Sequence, residues 1–216
     1  MEPNRTRAWE LAAKSLSAGD PTGWFEELYQ EEEQGAKVVP WADRGPSPNL
    51  LEFPGAGKAA MVVGCGLGDD AEQIAAWGFE TTAFDIAETA IRACKRRFPA
   101  SAVRYETGDL FKPAAEWVGH FDLVLESNTV QALPREIRAE AIRGVAAFVK
   151  KGGMILLIAR GQDEGEPEGQ MPWPLTRREL DLFRELGLRE ESFEDYWDAE
   201  SPPVRRFRAI FRNPPS

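Results

Sequence analysis

Residues 60–85 read AMVVGCGLGDDAEQIAAWGFETTAFD, and the rest of the chain is organised around them. An apolar run, Met61-Val62-Val63, leads into Gly64-Cys65-Gly66-Leu67-Gly68. A helix-like segment follows from Asp69 to Trp77, Gly78 stops it, and a β-rich run ends at Asp85. Strand, glycine turn, helix and strand in that order open an α/β sheet whose ligands lie at the turn. Chain leaving a strand there must bend sharply, often at positive φ, and glycine lets a ligand lie against bare backbone. By itself the G-x-G-x-G spacing is also an ordinary tight turn. The strand before it, the helix after it and Asp85 in register favour a ligand site.

The spacing separates two ligand classes. A dinucleotide fingerprint, G-x-G-x-x-G, carries its third glycine where this chain has Asp69, with Asp70 beside it. Carboxylates suit the positive end of a helix but repel a pyrophosphate placed there. S-adenosylmethionine has a sulfonium, an ammonium group and no phosphate, so it meets no such repulsion. Asp85, about twenty residues beyond the turn, is placed to accept both ribose hydroxyls.

VVGCGLGDD, then AFD, then Gly108-Asp109-Leu110-Phe111, then FDLVLES at 121–127 resemble the class I S-adenosylmethionine-dependent methyltransferases, over residues 60–160 and more loosely beyond. The resemblance implies a cofactor site at Gly64, Cys65, Gly66, Gly68, Asp85 and Ile86. It also implies that Asp109 accepts the adenine amino group and Leu110 packs on the ring; a plain turn aspartate is the other reading of Asp109. Glu126 is placed either to face the methionine ammonium or to cap the loop before Pro134. Upstream, a Trp-containing helix is followed by Pro40-Trp41 and Gly45-Pro46-Ser47-Pro48. That segment is a loop pinned by a buried tryptophan, or, by resemblance, the N-terminal lid of the thiopurine and thiol/halide methyltransferase group. The lid reading puts Tyr29 and Trp41 over the cofactor and Trp24 at the substrate. Ala42 departs from that group, where Asp follows the Trp, and the linker between Trp24 and Trp41 is longer and more acidic.

Length and composition set limits. A chain of 216 residues suits one α/β domain, with a lid at 1–50, a cofactor-binding core at 51–160 and a substrate-side loop, helix and closing strands at 161–216. The net charge of −10 makes nucleic acid a poor partner. Two cysteines, Cys65 and Cys94, and a single histidine provide neither a disulfide framework nor a metal cluster. With no signal peptide, and with Met154 to Ala159 as the longest apolar run, the chain is expected to be cytoplasmic and free of the membrane, as a monomer or weak homodimer.

The alternation of elements predicts a doubly wound, mainly parallel, Rossmann-like seven-stranded sheet with an antiparallel closing strand and an N-terminal helical lid. Strands are expected at Met61–Val63, Glu80–Phe84, Val103–Glu106, Phe121–Leu125 and Met154–Ala159. Helices are expected at Asp69–Trp77, Ala87–Arg97 and from Pro134 to Val149, the last closed by Lys151-Gly152-Gly153. The stretch 161–174 reads as a long loop, mobile over Gln162–Gln170. Thr176-Arg177-Arg178-Glu179 is a capping box for a helix ending at Gly187. Two strands, Glu190–Tyr196 and Val204–Phe211, complete the chain.

Ligands in such a sheet lie beyond the carboxyl ends of the strands. His120 precedes its strand and so falls at the wrong end for a general base. No catalytic residue can be named, and the acceptor is expected to be a small molecule needing little activation, such as a thiol. Asn128, Arg160, Trp173 and Trp24 are the candidate substrate residues. The loop Glu126-Ser127-Asn128-Thr129 lacks the Pro-Pro-aromatic motif of nucleobase-amine enzymes. The expected function is therefore a small-molecule methyltransferase. A non-catalytic cofactor sensor or accessory subunit is the alternative, and an NAD-linked oxidoreductase is disfavoured by Asp69.

Overall fold

The computed structural model describes residues 3–36, 39–41, 45–50, 57–167, 169 and 171–215, with the side chains of 3 and 4 excepted. Ala42, the start of the expected core at 51, and positions 168 and 170 of the expected mobile loop lie outside the described residues.

Two helices, α1 (Pro3–Ser17) and α2 (Gly23–Glu33), precede the sheet. Asp20 sets the start of α2, its Oδ1 accepting from Thr22 N at 3.0 Å and Gly23 N at 2.8 Å. Then come β1 (Ala59–Val63), α3 (Asp69–Ala76), β2 (Glu80–Asp85), α4 (Glu88–Arg97), β3 (Arg104–Thr107) and β4 (Phe121–Ser127). They are followed by α5 (Arg135–Phe148), β5 (Val149–Gln162), β6 (Leu175–Thr176), α6 (Arg177–Glu185), β7 (Arg189–Trp197) and β8 (Arg205–Arg212). The sheet order is β3-β2-β1-β4-β5-β8-β7, with β6 hung on β5 as a short eighth strand. Strands β1 to β5 run parallel, and β8 enters antiparallel between β5 and β7. The doubly wound sheet with an antiparallel closing strand is thus present.

Apolar runs make this sheet because it is covered on both faces. Along β1, Met61 and Val63 join one core with Phe84, Val124, Leu157 and the α5 residues Ile142, Val145 and Phe148. Ala60 and Val62 join the opposite core with Ile74, Ile91 and Cys94 from α3 and α4. A third cluster holds Leu11, Trp24, Leu28 and Tyr29 against Leu67, Ala90, Ala132 and Met171. It seats α1 and α2 over the carboxyl end of the sheet. Glu26 fixes this docking, its carboxylate accepting from Thr89 N at 3.1 Å and Thr89 Oγ1 at 2.5 Å at the start of α4.

Two local expectations are corrected. Helix α5 ends at Phe148, and Lys150 to Gly153 belong to β5 rather than to a helix terminus. Lys150 reaches Asp122 on β4 at 2.5 Å, and Gly152 N donates to Asn213 O at 2.8 Å, so strand pairing satisfies this segment. The expected loop 161–174 is also interrupted, because β5 extends to Gln162 and pairs with β6. The capping box is formed, with Thr176 and Glu179 bonded reciprocally. No helix among the described residues is long and apolar enough to cross a membrane.

Candidate active site at the glycine turn

The turn after β1 is left-handed at its glycines, with φ of 58° at Gly64 and 54° at Gly66. A Cβ at Gly64 would lie 2.5 Å from Thr129 Oγ1, and one at Gly66 would lie 2.9 Å from the Tyr29 hydroxyl. Both positions therefore require glycine for conformation and for space. Trp41 Nε1 donates to the same Tyr29 hydroxyl at 2.9 Å, so two aromatic residues of the N-terminal segment rest above the turn. Trp41 keeps 40% of its surface exposed, whereas Trp24 is closed off at 1%, stacked on Phe25 and edge-on to Trp41. Trp24 supports Trp41 from within the core and does not line open surface.

Asp85 ends β2 beneath this turn. Its Oδ2 accepts from Gly66 N and its Oδ1 from Ala87 N, both at 2.9 Å. Burial pushes its pKa up to about 6, against the backbone hydrogen bonds that favour the charged form. Cys65 and Cys94 lie buried behind the turn, and Cys94 Sγ donates to Gly66 O at 3.2 Å. Its hydrogen bond with Cys94 and burial push the Cys65 thiol well up, so Cys65 is not poised as a nucleophile. Asp69 is paired with Arg97 through contacts of 2.7 and 2.8 Å. Asp70 accepts from Ser47 N at 2.7 Å, which ties the proline-rich segment to α3. The repulsion expected of Asp69 is thus offset by Arg97. Neither partner was legible in sequence, since both arise from contacts between distant segments.

Glu126 is wholly buried at the end of β4. Its Oε1 accepts from Thr129 N at 2.8 Å and Val130 N at 2.9 Å, while Oε2 has no partner among the described residues. It caps the following loop, and an unmet acceptor remains beside the turn through the register Val63–Glu126. Burial raises its pKa to about 7. A carboxyl raised in the fold binds more protons folded than unfolded, so stability falls as pH rises through the window from about 4.5 to about 7. Asp85 contributes in the same sense up to about 6. Glu126→Gln is therefore expected to remove its own share of this slope from about pH 4.5 to 7, the whole of it above about pH 6, and to stabilise the protein above that window by up to roughly 3 kcal/mol. Thermal melts across that range check it; an unaltered slope would place the titration elsewhere.

The remaining sequence candidates fall around the same end of the sheet. Asp109 caps its own turn, Oδ1 accepting from Phe111 N at 2.9 Å. Leu110 turns its side chain onto Gly144 of α5, inside the core. Ile86 follows Asp85 and is half-buried. Asn128 adopts φ 62° and accepts from Arg206 at 3.2 Å, and Arg160 sits at the end of β5. Trp173 donates its N–H to Gln131 O at 2.9 Å and packs on the N-terminal cluster. His120 is exposed at the opposite end, before β4. Sequence reasoning missed Tyr105, whose hydroxyl contacts Gly68 O at 3.3 Å. No group of three or more His, Cys, Asp or Glu among the described residues is arranged to hold a metal.

Comparison with known proteins agrees with the fold. A family described as a methyltransferase domain matches residues 60–153. The thiopurine S-methyltransferase of Vibrio atlanticus (strain LGP32) is 25% identical over 182 residues, covering 74% of this chain and 82% of that one. Among solved structures, one described as "Conversion of a Disulfide Bond into a Thioacetal Group during Echinomycin Biosynthesis" superposes with a TM-score of 0.73 at 20% identity, covering 89% of this chain and 93% of that one. The N-methyltransferase NodS of Bradyrhizobium japonicum WM9, in complex with S-adenosyl-L-homocysteine, gives 0.59 at 18% identity, covering 73% and 78%.

Proposed function

We propose that this chain, which is a class I S-adenosylmethionine-dependent methyltransferase, passes the methyl group to a small-molecule acceptor, a thiol or another easily ionised nucleophile. The residues at the turn fit the cofactor. Asp85 has acceptor capacity left after its backbone bonds, which suits two ribose hydroxyls, and the orphan Oε2 of Glu126 suits an ammonium group. Ile86 and Asp109 edge the adenine in this reading, with Leu110 contributing backbone, and Gly64, Cys65, Gly66 and Gly68 provide the bare floor. The bound cofactor supplies an electrophilic methyl on a sulfonium that leaves as a neutral thioether. What the protein adds is orientation and exclusion of water. Tyr29 and Trp41 do the second, as a lid formed by residues 1–50 on the core 51–160, with 161–216 on the substrate side of a single domain.

The observation that carries the acceptor class is the distribution of bases. The histidine lies at the far end of the sheet, and the buried carboxyls at the turn, Asp85 and Glu126, are in this reading committed to the ribose and the ammonium group of the cofactor. A nucleophile that loses its proton easily, such as a thiol with pKa near ~8.5, needs no more. The relatives named thiopurine S-methyltransferase support the same choice. The acidic chain, with its net charge of −10, supports a small molecule over nucleic acid, and we place it in the cytoplasm as a monomer or weak homodimer.

Methyl turnover on matched thiols, phenols and carboxylates tests the proposal. Thiols are expected to be preferred; turnover confined to phenols would contradict it, and none on any acceptor would favour a cofactor sensor. Trp173, half-buried between prolines and bonded to Gln131, is the wall against which an apolar acceptor would lie. Trp173→Ala is expected to raise the acceptor KM by about tenfold while leaving S-adenosylmethionine affinity nearly unchanged. Loss of cofactor affinity instead would assign Trp173 to the other ligand.

A further inference from the structure

Arg160 and Arg206 stand directly opposite one another in the antiparallel pair β5–β8, at the same end of the sheet as the glycine turn. Like charges so placed repel. The two are treated very differently by their surroundings. Arg206 is almost fully buried and uses all three of its nitrogens: Nε on Asp198 at 2.7 Å, one terminal nitrogen on Glu200 at 2.5 Å, the other on Asn128 at 3.2 Å. The guanidinium of Arg160 makes no hydrogen bond or ion pair among the described residues, although it is half-buried.

The neighbourhood makes that isolation expensive. Arg5 from α1 adds a further positive charge, and burial together with repulsion from Arg206 and Arg5 pushes the Arg160 pKa down, against weaker support from Glu200 and Asp198. Those two acids are already engaged by Arg206. The backbone leaves Arg160 little freedom to withdraw, because its N–H donates to Gln131 Oε1 at 2.5 Å. The Gln131 backbone carbonyl in turn accepts from Trp173 N at 2.9 Å, which ties the Arg160 backbone to the proposed acceptor wall. A half-buried fork of donors facing like charge, with no acceptor among the described residues, is the arrangement of a residue that meets its partner in a ligand.

We infer that Arg160, backed by Arg206 and Arg5, is the anion-recognition residue of the acceptor site, so that the methyl acceptor carries a carboxylate or phosphate-type group besides its nucleophile. This rests on the proposed methyl transfer to a small molecule and narrows its substrate class. An acceptor anion held here gains a bidentate contact and relieves the Arg160–Arg206 repulsion, while its apolar body lies toward Trp173.

The test is binding rather than turnover, so that it stands apart from the choice of nucleophile. Benzoate, its neutral isostere benzamide, and inorganic phosphate are titrated by calorimetry into wild type, Arg160→Gln and Arg160→Lys, each with and without S-adenosyl-L-homocysteine. Benzoate or phosphate is expected to bind wild type and to weaken on the order of tenfold or more in Arg160→Gln, with Arg160→Lys retaining much of the affinity. The tighter of the two anions identifies the acceptor group. Benzamide is expected to be indifferent to the substitutions, and the Tm of Arg160→Gln to hold or rise, because a repulsion has been removed. Absence of anion binding to wild type, equal binding to the Gln variant, or a marked fall in its Tm would each overturn the inference. Failure of methyl transfer on every acceptor would refute the proposed function and leave these isotherms as they are.

Discussion

Arg138→Met is expected to destabilise the protein by about 3–5 kcal/mol, with a fall in Tm on the order of 10 °C. Arg138 is 1% exposed on α5, yet it carries a full charge. Its Nε donates to Leu133 O at 2.9 Å, and its terminal nitrogens reach Glu179 Oε1 at 2.8 Å and Trp173 O at 3.0 Å. One guanidinium therefore joins the loop before α5, the loop carrying Trp173, and the capping residue of α6. Methionine fills much of the volume but takes the guanidinium donors from one carboxylate oxygen and two carbonyls, and breaking a buried pair from one side is the costly case. Removing Glu179 as well takes away the uncompensated charge, so Arg138→Met combined with Glu179→Met is expected to be less destabilised than the sum of the single variants. Denaturant unfolding of the four proteins measures this coupling. A loss of only a few tenths of a kcal/mol in the single variant would show that packing alone holds the segment.

The second large effect is on the cofactor. Asp85→Ala removes the acceptor for Gly66 N and Ala87 N and the proposed partner of the ribose. A charge-assisted hydrogen bond contributes roughly 1.5–3 kcal/mol, so S-adenosylmethionine affinity is expected to fall roughly ten- to a hundredfold. Loosening of the turn adds to this, and a cofactor analogue lacking both ribose hydroxyls separates the two. It should bind wild type poorly and lose little further in the variant. Because the carboxylate form accepts the hydroxyls and the Asp85 pKa lies at about 6, affinity in wild type is also expected to decline as pH drops below that value. Calorimetric titration in both proteins checks each point, and unchanged affinity in Asp85→Ala would put the ribose elsewhere.

Much of the fold was legible because the sheet is covered on both faces. Strands such as Met61–Val63 then read as continuous apolar runs bounded by glycine, and Thr176 with Glu179 signals a helix start from neighbouring residues alone. The site was legible where its residues are fixed by the chain's own turns, as at Gly64–Gly68 and Asp85. It was less so where distant segments meet. The neutralisation of Asp69 by Arg97, the capping of α4 by Glu26 and the pairing of β6 with β5 depend on tertiary contacts that no local pattern announces. Lys150 and Lys151 resembled a helix terminus by charge, but they lie within β5, at the irregularity between its Val149 and Met154 pairings with β4. Arg138 is the instructive miss. It lies in step with Ala141, Ile142, Val145 and Phe148 on the buried stripe of α5, so helical spacing alone marked it as a charge inside the core.

Everything at the carboxyl end of the sheet rests on the identity of the cofactor. Isothermal titration of the full chain with S-adenosylmethionine, S-adenosylhomocysteine and NAD is the most direct measurement. The two adenosyl ligands are expected to bind at a single saturable site and to protect the protein against thermal unfolding, while NAD gives no heat. Binding of NAD with no response to either adenosyl ligand would contradict the assignment of the glycine turn.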